Sequence, residues 1–188
     1  MARMTRAAAP LFMCLLLQNL EAQPVSGVWH GRVDAGTGLP GNTYRVELKL
    51  ARLGDSLYGT AYYHRGRREY ARFPIKGYFN PFDGTVTWWH DEKTGVDEKG
   101  RAVPSPFGAG TSFVTDFNCP GGEEMSLDGE LQSAGTPNGG KNRPVHFDKV
   151  QDPLFRDEWD EVLNDPSKDL ASLLERQEEI ASPPPATH

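Results

Sequence analysis

"TYRVELKLARLGDSLYGTAYYH", residues 43–64, decides how this chain is read. Tyr44, Val46, Leu48 and Leu50 fall on one side of an extended backbone and Arg45, Glu47 and Lys49 on the other. That is the alternation of a strand with one apolar and one wet face. The turn formers of "LGDS" (53–56) reverse the chain, and Leu57, Gly59, Ala61 and Tyr63 carry the apolar side back, so 43–64 reads as a hairpin. The same period recurs downstream. "HRGRRE" (64–69) is a basic turn, and "YARFPIKGYF" (70–79) alternates through Ala71, Phe73, Ile75, Gly77 and Phe79. Pro74, which has no N–H to donate, predicts an edge or a bulge there. "NPFDG" (80–84) is a strong turn, followed by the strand "TVTWWH" (85–90). Residues 91–110, "DEKTGVDEKGRAVPSPFGAG", have charge, Gly and Pro but no period, which predicts a long loop. Alternation resumes in "TSFVTDFNC" (111–119), "EEMSLDGELQS" (123–133) and "VHFDKV" (145–150). With "SGVWHGRV" (26–33) as the first, eight strands follow one another without a helical pattern between them.

Composition agrees with this pattern. A chain of 188 residues that is 37% hydrophobic can enclose one core, and 20 glycines with 15 prolines suit many short strands joined by turns. The net charge of −6 is unevenly placed. Residues 23–151 hold 15 Lys/Arg against 15 Asp/Glu, whereas 152–180 hold 3 against 10. Neither part has the basic surface that neutralising a phosphate backbone requires, so nucleic acid is not an expected partner.

The N-terminus reads as an address. Arg3 and Arg6 precede the apolar run Ala7–Leu17, and "LEAQ" (20–23) supplies a small residue at Ala22, so 1–22 is expected to be a cleaved signal peptide. An uncleaved anchor is the alternative. After cleavage no membrane span is expected, and the protein is expected to be exported, to a periplasm or to the outside. Cys14 leaves with the leader and Cys119 remains alone, so no internal disulfide can form; Cys119 reads as a buried bystander.

Beyond the strands, 152–180 changes period. Leu154, Phe155, Trp159, Val162 and Leu163, then Leu170, Leu173 and Leu174, recur at helical intervals, with a break at Asp165–Pro166. Two short acidic amphipathic helices are predicted, followed by a disordered tail, 181–188.

Successive antiparallel strands most simply close on themselves, because closure removes exposed edges. The fold predicted is therefore mainly β: an antiparallel, up-and-down, eight-stranded barrel over 23–151 with a C-terminal helical extension. Trp29, between Gly27 and Gly31, is expected to lie across one end as a plug, or else to touch a ligand.

With "GVW" (27–29) on the first strand, "TDF" (115–117) and a helix after the last strand, the chain resembles the lipocalin-like secreted barrels of diderm bacteria over about residues 26–163. Arg143 and Arg156 are both arguable for that family's late arginine. The resemblance implies an internal cavity for a small apolar ligand. Avidin-like barrels resemble the chain less: Trp88 and Trp89 fit loosely, but the polar biotin-binding set is not found.

No reaction is written in the sequence. His30, His64, His90 and His146 have no metal-ligand spacing, and "DEKTGVDEKG" lacks the alternating donors of a calcium loop, so neither metal nor cofactor is expected. No catalytic residue is nominated. The expected function is non-enzymatic binding of a small apolar ligand, or of an envelope protein. The ligand-lining residues would be Trp29, Tyr44, Tyr63, Phe73, Trp88 and Phe113. Two alternatives stand beside it: an interaction module working through the acidic helices of 152–180, and a barrel enzyme, an isomerase or cyclase, with His and Asp in the lumen. Among the aromatics of the middle strands (Tyr58, Tyr62, Tyr70, Tyr78, Trp88 and Trp89), those facing outward are expected to be covered by the C-terminal helices.

Overall fold

A computed structural model describes residues 25–34, 43–66, 68–91, 94–108, 110–121, 124–133 and 142–164, with 170, 172 and 174. The expected leader and the 181–188 tail lie outside the described residues. Ten strands are formed: β1 (Gly27–Asp34), β2 (Thr43–Leu53), β3 (Ser56–Gly66), β4 (Glu69–Asn80), β5 (Thr85–His90), β6 (Thr94–Asp97), β7 (Ala102–Pro104), β8 (Thr111–Gly121), β9 (Glu124–Ser133) and β10 (Arg143–Val150). One short helix, α1 (Trp159–Asn164), follows.

Eight of the strands close into an antiparallel barrel. Each of β1 to β4 pairs with its successor, β5 pairs with β8, and β8, β9 and β10 lead back to β1. The alternation seen in the sequence is the inside and outside of this wall. Val46, Leu48 and Leu50 face the same core as Leu57, Ala61, Phe73, Val86, Leu127 and Phe147, all buried. Trp29 is fully buried among them, its indole Nε1 donating to the carbonyl of Val25 at 3.1 Å. Gly31 has no room for a side chain. A Cβ there would come within 2.4 Å of the Phe147 ring, which fills the space beside the indole strand.

Several local expectations are corrected. The stretch 91–110 is not a plain loop, because it folds the hairpin β6–β7 onto Ala71 and Arg72 of β4. Asp97 builds its turn: its carboxylate accepts the backbone N–H groups of Lys99 and Arg101 and pairs with the Arg101 guanidinium at 2.6 Å. No bulge occurs at Pro74, but the strand is locally open there on one side. Pro74 pairs with Thr60 inside the wall, at the place where β4 changes partner from β6 to β5, so its missing N–H interrupts no ladder. Cys119 is exposed, not buried.

The tail differs most from its prediction. Helical spacing suggests two helices, but Leu154 and Phe155 belong to an irregular strap, and only α1 is seen as a continuous helix. Most of the second expected helix lies outside the described residues. Asp157 starts α1: its carboxylate accepts the Trp159 N–H at 3.0 Å, while its own N–H donates to Asp160 at 2.9 Å. This reciprocal cap satisfies two backbone donors at once. Trp159 and Leu170 then bury against Ala51 on the outside of the barrel, with Tyr58 beside them.

The strap also overturns the expectation of a wet outer face on β2. Glu47 and Lys49 are completely buried beneath it. Lys49 Nζ donates to the Phe155 carbonyl at 2.6 Å and to the carboxylates of Asp157 and Asp160 at 2.9 and 2.8 Å. Glu47 accepts the N–H groups of Leu154 and Phe155 at 2.5 and 3.2 Å. The Tyr62 hydroxyl donates to Asp157 at 2.6 Å, and Arg72 pairs with Glu158. Phe155 lies flat on Tyr62 at 4.5 Å and touches Tyr70. Of the outward aromatics, then, Tyr58, Tyr62 and Tyr70 are met by the strap or α1. Tyr78 and Trp89 are exposed, and Trp88 turns out to be an inward residue.

Candidate functional site

The six residues expected to line a cavity lie in the barrel interior. Trp88 and Phe113, register partners on β5 and β8, stack at 3.7 Å, and Phe113 meets Phe107 edge-on. Phe107, from the segment after β7, touches Tyr44 and Tyr63 in turn, and Tyr63 packs on Phe73. Five of the six thus belong to one aromatic cluster that Phe107 completes. Trp29 stands apart, with Phe117 at its edge and Lys149 Nζ over its face at 5.5 Å. Among the described residues neither Arg143 nor Arg156, the two candidates for a late arginine, has a ring contact with Trp29. Arg143 instead lies over Phe107 and donates to the Asp34 carbonyl. Thr115, Asp116 and Phe117 lie within β8, the Thr115 hydroxyl donating to the Val86 carbonyl.

His90 is built into the aromatic cluster. Its ring stacks on Phe73 at 4.5 Å, its Nε2 is 2.8 Å from the Tyr63 hydroxyl and its Nδ1 is 2.9 Å from Ser105 Oγ. A neutral imidazole has one donor and one acceptor, and these two hydroxyls match them. Burial pushes the His90 pKa down from 6.5 to about 4 and the Tyr63 phenol well up. Between those two values the unfolded chain binds a proton that the folded chain refuses, so stability falls as pH drops through that window. The expected loss is about 3 kcal/mol. Urea unfolding at both ends of the window should show it, and a His90→Gln variant should lack this component; parallel pH profiles for the two proteins would contradict the assignment.

On the outside, a groove of about 1080 Å³ crosses the wall over β1, β2, β3, β9 and β10. Its floor is one cross-strand row read from the register: His64 opposite Arg45, Arg45 opposite Arg32, Arg32 opposite His146, and His146 opposite Asp128. A second row runs Tyr62, Glu47, His30, Asp148. Within these rows the charges are unequally satisfied. His146 is held by Asp128 at 2.5 Å and Asp148 at 3.0 Å. Its hydrogen bond to Asp128 raises its pKa, so the two carboxylates favour its protonated form. His30 donates to the buried Glu47 at 2.8 Å.

The other half of the groove is not satisfied in this way. Arg32 and Arg45 are directly opposed on adjacent strands, an arrangement that like charges disfavour. Among the described residues neither guanidinium makes a hydrogen bond or an ion pair. His64, next in the row, is buried against the edge of Phe155, and its Nδ1 has no hydrogen-bond partner. Burial lowers its pKa, Glu47 acting in the opposite sense.

Period two places Arg32, Arg45 and His146 on the outer face, which the sequence does show. It does not show that they share a row, because that depends on the register of four strands. His64 carries no signal at all as part of a basic turn. No family model, curated protein or solved structure matches the chain.

Proposed function

We propose that the protein is an exported, non-enzymatic binding protein of the lipocalin-like barrel kind, and that it holds a small ligand in the groove on its outer wall. The observation that supports this reading is the contrast between the two faces. Inside, five of the six expected ligand residues are one another's packing partners, with Phe107 closing the cluster. Outside, the groove presents two arginines and a buried imidazole nitrogen whose bonding capacity the described residues leave unfilled. Interior rings that pack on one another support the wall, whereas charged groups in a concave outer surface that no neighbouring side chain pairs have capacity left for a ligand.

The two rival readings fare less well. An interaction module would need the acidic side chains of the tail, but Asp157, Glu158 and Asp160 are engaged by Lys49, Tyr62 and Arg72 of the barrel. A barrel enzyme would need His and Asp together in the lumen, where His90 meets Tyr63 and Ser105 and, among the described residues, no carboxylate.

Native mass spectrometry of the protein purified without refolding tests the proposal. Adduct mass should be lost in Arg45→Glu and kept in Phe107→Ala. Loss in Phe107→Ala with retention in Arg45→Glu would return the ligand to the lumen and overturn the outer-wall reading.

A further inference from the structure

We propose that the unfilled half of the groove, over β2 between Arg32, Arg45 and His64, is a site for a phosphoryl group carried by a small molecule or a lipid headgroup. This rests on the binding reading above and names the chemistry of the ligand.

Three features point to an oxyanion with two negative charges. Arg32 and Arg45 are register partners on neighbouring strands, so two guanidiniums project side by side from the same face. Placed so close, they repel each other unless a shared anion sits between them. Guanidinium forks match phosphate oxygens two at a time, and charge-assisted hydrogen bonds of this kind are about twice as strong as neutral ones. Among the described residues no carboxylate pairs with either arginine, and Glu47, in the next row, is already filled by His30 and the N–H groups of Leu154 and Phe155.

His64 adds the third feature. It extends the same row to β3 and lines the groove wall, and its ring has a nitrogen without a partner. An unmet buried donor or acceptor is costly, and a phosphoryl oxygen, ionised or protonated, is able to satisfy either tautomer after a ring rotation. The opposite end of the groove repels anions, since Asp128 and Asp148 flank His146 there. Strands lie about 4.8 Å apart, which puts Asp128 three strands from Arg45 and confines an anion to the β1–β3 side. Leu154 and Pro144 border the groove and give the rest of a phosphorylated molecule apolar contact.

Titration calorimetry with inorganic phosphate at physiological ionic strength is the test, using the full chain. Binding at millimolar concentration or tighter is expected, at least about tenfold weaker in Arg32→Gln and in Arg45→Gln. Lys99→Gln removes the same charge from the β6–β7 turn and should bind like the parent protein. Circular dichroism melts of all variants identify any that fail to fold, and those are replaced by Arg→Lys at the same position, which keeps the charge but loses the fork and should still weaken binding. Flotation with phosphatidylcholine vesicles containing phosphatidic acid separates the sources: co-flotation that depends on Arg32 and Arg45 assigns a lipid headgroup, and its absence alongside calorimetric binding assigns a soluble phosphate ester. No heat with phosphate beyond that with chloride, or an affinity unchanged from the parent protein in both arginine variants, would overturn the site. A neutral adduct in the native mass spectrum with no phosphate binding would sink this inference and leave the binding reading standing.

Discussion

Lys49→Met is expected to detach the C-terminal strap from the barrel and to cost about 3 to 5 kcal/mol of stability. The Lys49 ammonium is fully buried and donates to two carboxylates and one carbonyl. Replacing it by an apolar chain of similar length keeps the packing but leaves Asp157 and Asp160 in an apolar seam without a cation. Burying an unpaired carboxylate costs more than exposing it, so the strap should lift rather than remain. The barrel closes without any residue of the strap, and what is lost is therefore the docking energy of 152–164 and not the fold. Limited proteolysis should cut within the strap of the variant and spare it in the parent protein, while far-ultraviolet circular dichroism keeps its β signature. Adding Asp157→Asn and Asp160→Asn to Lys49→Met removes the stranded charges and should recover part of the loss. A strap equally protected in the single variant would show that the buried cation does not hold it.

Trp29→Ala should be comparably severe, at about 3 to 5 kcal/mol, because a fully buried indole is removed from a closed wall that cannot collapse to fill the space. A finer comparison tests the reason. Trp29 and Trp88 are both completely buried, but Trp29 Nε1 donates to Val25 whereas Trp88 Nε1 has no partner among the described residues. Trp29→Phe loses a ring and strands the Val25 carbonyl, a penalty of about 1 to 3 kcal/mol beyond the lost volume. Trp88→Phe loses a similar volume, keeps a ring over Phe113 and discards a donor that was never satisfied. Chemical denaturation should therefore place Trp88→Phe well above Trp29→Phe in stability. The reverse order would mean that packing volume, not hydrogen bonding, separates the two tryptophans.

The strands were legible because the wall of a barrel has two unlike sides, and period two is the direct consequence. Tyr44, Val46, Leu48 and Leu50 announce their side without reference to any other segment. The turns at "LGDS" and "NPFDG" were equally local: Gly54 and Gly84 adopt positive φ, and Asn80 and Asp83 hold the second turn with their own side chains. The hairpin β6–β7 was missed because four-residue and three-residue strands are too short to establish a period, and its turn depends on the Asp97 carboxylate. The helical spacing of Leu154 and Phe155 misled for a related reason. Two apolar residues fit an irregular strap as well as a helix, and Phe155 is placed by stacking on Tyr62, not by its neighbours in sequence.

By itself the sequence determined which residues of each strand share a side and where most turns fall, because these depend on residues close along the chain; closure, expected only because it removes edges, joins β1 to the distant β10. Only the tertiary structure decided that Glu47 and Lys49 are buried, that Asp157, Glu158 and Asp160 are bound to the barrel's own cations, and that Arg32, Arg45 and His64 stand in one row. Those outcomes require segments as much as 111 residues apart, as in Lys49 and Asp160, to meet in one register, and charge patterning within a single strand carries no information about which distant segment will cover it.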